Sequence, residues 1–190
     1  IKTTFSILEP GLWQLEPAQE RYRVPACGVI VIELYADDEL VIQDPEGGQQ
    51  AEVVPFTPEG KGDPALLGIK NSNPADGMRT ILSGDSESAT RVRKAMEKRN
   101  LDLATAEAAI LFSPDSLAGE EFSFQFSSNT TCAIAASGSM MNVDGESLPP
   151  TDLLVFVKRA SSPGVGEIEL PAPLADPRLD FRIKACTAQA

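Results

Sequence analysis

Acidic and amide side chains crowd a glycine-bearing turn, Asp44-Pro45-Glu46-Gly47-Gly48-Gln49-Gln50, and Glu52 follows directly after it. Carboxylates in such a turn can hold a hard cation through oxygen, but the alternating carboxylates and downstream Glu of a calcium loop are missing. A plain hairpin is the simpler use of these residues, since proline presets one turn dihedral and the glycines accept positive φ. Farther along, Ser137-Gly138-Ser139-Met140-Met141-Asn142-Val143-Asp144 runs from a strand into small residues and two methionines. That stretch can present backbone donors and soft apolar contacts to a ligand, or fill a buried turn. Gln49, Glu52, Ser137 and Met140 are therefore the candidate ligand-binding residues, for a small metabolite in the mouth of a β structure. No residue is assigned as catalytic or as a metal ligand.

The chain has no histidine. Histidine is the commonest base near neutral pH and the commonest transition-metal ligand, so a Ser-His-Asp triad, a Cys-His pair and a typical catalytic zinc site cannot be built from this chain alone. Gly60-Lys61-Gly62-Asp63-Pro64 lacks the strand, helix and glycine spacing of a phosphate-binding loop and reads as a mobile loop. Ser113-Pro114-Asp115-Ser116 reads as an Asx turn at a strand end. Cys27, Cys132 and Cys186 are odd in number and have no short spacing, which disfavours a disulfide framework and points to a reducing cytoplasm. No basic neighbour activates Cys27 or Cys132. A net charge of -12 argues against nucleic acid or an anionic membrane as partner. No apolar run has the length needed to span a bilayer, and Ile1-Lys2-Thr3-Thr4 shows no signal-peptide pattern.

The elements that must position the candidates are mainly strands. Period-two or continuous apolar runs predict strands over 21–24, 28–34, 39–43, 49–56, 108–112, 121–126, 131–136 and 153–158. The turn at Asp44–Gln49 is expected to return the chain as a hairpin. One principal helix follows Asp85-Ser86: either can cap it, Glu87 suits its positive end, and Arg93, Lys94, Lys98 and Arg99 crowd its C-terminal half. Ala89, Val92 and Met96 fall on one face, and Asn100 is its expected stop. Within the loop-rich stretch 57–85, Ala65-Leu66-Leu67 and Met78–Leu82 read as single helical turns. The basic stripe Arg91, Lys94 and Lys98 is either a solvated face or a dock for an acidic neighbouring domain or an anionic ligand. The expected fold class is mainly β (α+β): a barrel or sandwich of about eight strands with one principal helix.

Residues 1–20 read as an extended lead-in, with a short strand candidate at Phe5–Leu8 and Trp13 as anchor; 21–160 form the β-rich domain; 161–179 form a linker. Phe181-Arg182-Ile183-Lys184-Ala185-Cys186-Thr187 repeats the pattern of Tyr22-Arg23-Val24-Pro25-Ala26-Cys27-Gly28, so 180–190 is expected to start a second, related domain.

The segment Glu39–Phe56, with Asp44, Gly47, Gln49, Glu52 and Phe56 at the marked positions and Val24-Pro25-Ala26 before it, resembles the signature hairpin of the urea carboxylase-associated domain family. The stretch Leu174–Ile183 resembles the lead-in to a second such domain. Tandem copies of this kind resemble the N-terminal half of bacterial proteins whose other half is an aminomethyltransferase (glycine cleavage T-protein). Active members of the family hold zinc through Cys and His, and some act as deiminases on carboxylated guanidine. This chain departs from them: it has no histidine and no Cys-Gly-Arg-His-like segment, and it carries Glu52 where Asp is usual. The resemblance therefore implies a non-catalytic accessory module in an aminomethyltransferase-like protein, partnered by neighbouring domains of the same polypeptide. It implies no cofactor in this chain and tetrahydrofolate for the parent. A small-metabolite-binding domain and a metal-dependent hydrolase or deiminase are the alternatives.

Overall fold

The computed structural model describes residues 19–70, 72–137 and 149–160. The expected strand at Phe5–Leu8, Trp13, Met140, Cys186, the linker over 161–179 and the second-domain start at 180–190 lie outside the described residues.

Among the described residues nine strands form two antiparallel sheets packed face to face. The first sheet has the order β1 (Gln19–Val24), β9 (Leu153–Lys158), β3 (Glu39–Asp44), β7 (Glu120–Gln125). The second has the order β2 (Val29–Leu34), β8 (Thr130–Ala136), β4 (Ala51–Phe56), β6 (Glu107–Leu111) and the two-residue β5 (Asn73–Pro74). The architecture is a sandwich and not a closed barrel, because β1, β7, β2 and β5 all end sheets.

Side-chain alternation explains the layers. Leu40 and Ile42 of β3 meet Leu153 and Val155 of β9, Ile32 and Leu34 of β2, Val53 of β4 and Ile134 of β8 in the core between the sheets. The other face of the second sheet is apolar as well. Val29, Val54, Phe56, Ala133 and Ala135 pack there against two helices, so β4 is buried along its whole length. The helices are α1 (Asp76–Ser83) and α2 (Glu87–Lys98), the latter being the expected principal helix. Ser86 caps α2 by accepting from the Ala89 N–H, and Asn100 leaves it with φ of 53°.

The expected β3–β4 hairpin does not form. β3 pairs with β7 and β9, whereas β4 pairs with β6 and β8 in the other sheet. The Asp44 carboxylate accepts from the Gly47 and Gln49 N–H groups and from the Ser116 hydroxyl, which ties the turn to the β6–β7 connection. The turn thereby carries the chain across the sandwich. Gly47 sits at φ of 85°, with the Ser116 carbonyl only 2.8 Å from where a Cβ would be.

Candidate functional site

The junction between β4, the end of β8 and the start of α1 gathers three of the four candidate residues. Glu52 lies on the helix-facing side of β4 beside Val54. Its Oε1 accepts from the Gly77 N–H at 2.9 Å and its Oε2 from the Met78 N–H at 2.7 Å. The residue before α1 is Ala75, which has no side-chain acceptor to offer, so Glu52 supplies from the sheet the cap that the local sequence lacks. The negative carboxylate also suits the positive end of the helix. A Cβ on Gly77 would lie 2.2 Å from Glu52 Oε1 and 2.7 Å from Ser137 Cβ, so only glycine allows this approach.

Gln49 clasps the same region from the β3–β4 crossover. Its Nε2 donates to the carbonyls of Ser137 and Gln50, at 2.6 and 2.7 Å, and its Oε1 accepts from the Thr151 N–H at 2.7 Å. It thereby holds together the two chain ends that flank residues 138–150. Every polar atom of the Glu52 carboxylate and the Gln49 amide is thus engaged by backbone. Ser137 Oγ and Thr151 Oγ1 are buried with no hydrogen-bond partner among the described residues.

Burial pushes the Glu52 carboxyl above its usual value of 4.5, and the nearby Asp76 charge adds to that rise. The Met78 and Gly77 N–H groups and Arg79 oppose the rise without cancelling it.

The remaining sequence features resolve as structural ones. The Asp44 carboxylate is saturated by the turn it organises. Among the described residues no group of three or more Cys, Asp or Glu side chains is arranged to hold a metal ion. Cys132 is buried, and burial raises its thiol pKa far above the reactive range; Cys27 is exposed in a turn. No helix among them is long and apolar enough to cross a membrane.

A second polar centre escaped the sequence reading. Arg159 donates to both oxygens of Glu20 at 2.9 and 2.8 Å, to Asp38 Oδ2 at 2.6 Å and to the Glu33 carbonyl at 2.9 Å. Its guanidinium also lies 5.3 Å from the Tyr35 ring centroid. The available signal was an Asp-Asp turn at 37–38 and a lone arginine closing a strand; nothing local joins residues 121 positions apart.

Comparison with known proteins changes the expected setting. No protein-family model matches the chain. A trimethylamine-oxide aldolase from Ruegeria pomeroyi is 36% identical over 185 residues, 97% of this chain. The chain spans 23% of the length of that relative. Among solved structures, a DUF1989 family protein from Silicibacter pomeroyi is similar with a TM-score of 0.43 and 12% identity, covering 76% of this chain and 80% of that one. The expected non-catalytic module of an aminomethyltransferase-like protein is overturned here: the relative that matches almost all of the chain is an enzyme, an aldolase. The comparisons give no support to the urea carboxylase-associated assignment, and the positions that suggested it serve here as turn residues (Asp44, Gly47), clasp (Gln49) and core (Phe56).

Proposed function

We propose that this chain is one domain of an aldolase that acts on trimethylamine N-oxide. The observation that carries the reading is 36% identity along 97% of the chain to a protein of that activity. Since the match is to 23% of the relative, the activity is assigned to the whole polypeptide of which this chain is a part.

An aldolase acting on this substrate breaks one N–C bond and releases that carbon as an aldehyde. The atoms divide into formaldehyde and dimethylamine with nothing left over. The methyl carbon gives up two electrons, the N–O bond accepts them, oxygen moves to carbon and a methyl proton moves to nitrogen. No external oxidant enters the balance. Within this domain we assign ligand contact to Ser137, whose buried hydroxyl has no partner among the described residues, with Gln49 and Glu52 positioning it. Met140 remains a proposed contact on the same reading.

The full-length polypeptide, isolated in native form and given trimethylamine N-oxide, should release formaldehyde and dimethylamine in equal amounts. Failure to consume the N-oxide overturns the assignment. In the same assay Ser137→Ala should raise KM while leaving the melting temperature unchanged; an unchanged KM removes Ser137 from the site.

A further inference from the structure

At the end of β4 farther from Glu52, three strands set a row of side chains on the helix-facing side of the second sheet. The registers place Glu33 of β2 opposite Thr131 of β8, and Thr131 opposite Phe56 of β4. Side chains opposite one another on an antiparallel sheet share a face, so the row runs carboxylate, hydroxyl, aromatic ring. Arg99, the residue that closes α2, reaches over the carboxylate end. With Tyr35 and Leu101 these groups line an open cavity of about 550 Å³. Small-molecule sites run from roughly 300 to 1,000 Å³.

The frame of this cavity is fixed by regular structure. Phe56 and Leu34 beneath it are fully buried. The Asn129 amide oxygen accepts from the Ala36 N–H, and the Asp102 N–H donates to the Gly60 carbonyl, which ties the segment after α2 to the loop after β4. Glu33 and Arg99 are the two charged side chains of the lining. Their contact is one-sided. Arg99 Nε donates to Glu33 Oε1 at 2.8 Å and Nη2 lies 2.7 Å from that same oxygen, while Nη1 donates to the Ala95 carbonyl. Among the described residues neither Glu33 Oε2 nor the Thr131 hydroxyl has a hydrogen-bond partner. The guanidinium also keeps one donor to spare on each of Nη1 and Nη2.

A lone anion on Arg99 would meet Glu33 as a like charge, and a lone cation on Glu33 would meet Arg99. A ligand that carries both charges side by side satisfies the two at once. We infer that this cavity binds a free α-amino acid with an apolar side chain. Its ammonium donates to Glu33 Oε2 and the Thr131 hydroxyl, its carboxylate accepts from Arg99, and its side chain lies against Phe56, Leu101 and Tyr35. The two charged groups of such a ligand share one carbon, which suits a Glu33–Arg99 pair in direct contact. Binding here is independent of the activity proposed above.

Titration of the 190-residue chain with L-leucine, followed through its backbone amide NMR signals, is the test. The Tyr35, Leu101 and Thr131 amides should shift saturably, while those of Gly77 and Met78 beside Glu52 stay still. Isocaproate, which lacks the ammonium, and isoamylamine, which lacks the carboxylate, should each bind about tenfold more weakly. Glu33→Gln and Arg99→Gln should each weaken leucine binding by about tenfold at an unchanged melting temperature. Should a variant unfold, the analogue series on the parent chain decides alone. No saturable shift with leucine overturns the inference. Equal binding of isocaproate or isoamylamine overturns it in favour of a plain anion or cation site, and equal binding of glucose in favour of a neutral polyol. Leucine affinity unchanged in both variants places the ligand elsewhere and overturns it too.

Discussion

At Arg159 the carboxylates of Glu20 and Asp38 meet a full positive charge; at the start of α1, Glu52 meets only the N–H groups of Gly77 and Met78. Both centres bury carboxylates and both lock distant chain segments together. Their electrostatics run in opposite directions. The Arg159 hydrogen bonds hold Glu20 below its usual value. For Asp38, burial pushes upward, but the Tyr35 N–H, Arg159 and the Ala160 N–H together outweigh it and the net shift is downward. Glu52 has no such counter-charge in contact, burial prevails, and its value rises. A cation beside the buried carboxylate outweighs burial at Arg159, whereas at Glu52 the two N–H donors do not.

The largest effect should come from removing the cation. Arg159→Ala leaves Asp38 buried without its partner and should cost about 3–5 kcal/mol by chemical denaturation. A loss near the level of a surface pair would show that water replaces the arginine and that the cluster is no brace. Next, Glu52→Ala strands two buried N–H groups at the start of α1 and should cost about 2–4 kcal/mol. Gly77→Ala should destabilise by a similar mechanism, since the new methyl displaces the same carboxylate. If Gly77→Ala proves neutral, α1 does not sit against Glu52.

pH dependence separates the two centres by sign. Glu20 and Asp38 have lowered values, so their stabilisation is complete above about pH 4.5 and is lost as pH falls through their folded values. Glu52 has a raised value, so the cost of its buried charge is present at neutral pH and is relieved as pH falls toward 4.5. The deficit of Glu52→Gln relative to the parent chain should therefore be larger near pH 5 than at pH 7. A deficit that shrinks toward acid would mean that the helix N–H groups prevail over burial. The smallest effect belongs to the exposed Arg91–Glu87 pair on α2, where Arg91→Ala should cost about 0.3–0.5 kcal/mol and less in salt.

The strands were legible because alternation and continuous apolar runs are local signals, and α2 was legible because Ser86, Glu87 and the basic C-terminal half are written in order along the chain. Helix α1 was reduced to a turn for a specific reason. Its own N-terminus offers Ala75 and Gly77, which read as weak helix residues, while its cap is Glu52, 25 residues upstream. The false hairpin at Asp44 has the same origin: such turn chemistry suits a chain that folds back in one sheet and one that crosses to the other, and the contact with Ser116, 72 residues away, has no local signal. At the candidate site, the polarity of Gln49, Glu52 and Ser137 was visible in the sequence. Their convergence was not, because it depends on Gly77 admitting the carboxylate and on Gln49 spanning 88 residues to Ser137.

The difference between the two centres rests on the protonation of Glu52. Titration of its side-chain carboxyl carbon by NMR in the intact chain reads that directly. The account predicts a midpoint above the ordinary value of 4.5, with Glu20 and Asp38 titrating below theirs in the same spectra. A Glu52 midpoint at or below 4.5 would contradict it and make Glu52 a fixed brace like the carboxylates at Arg159.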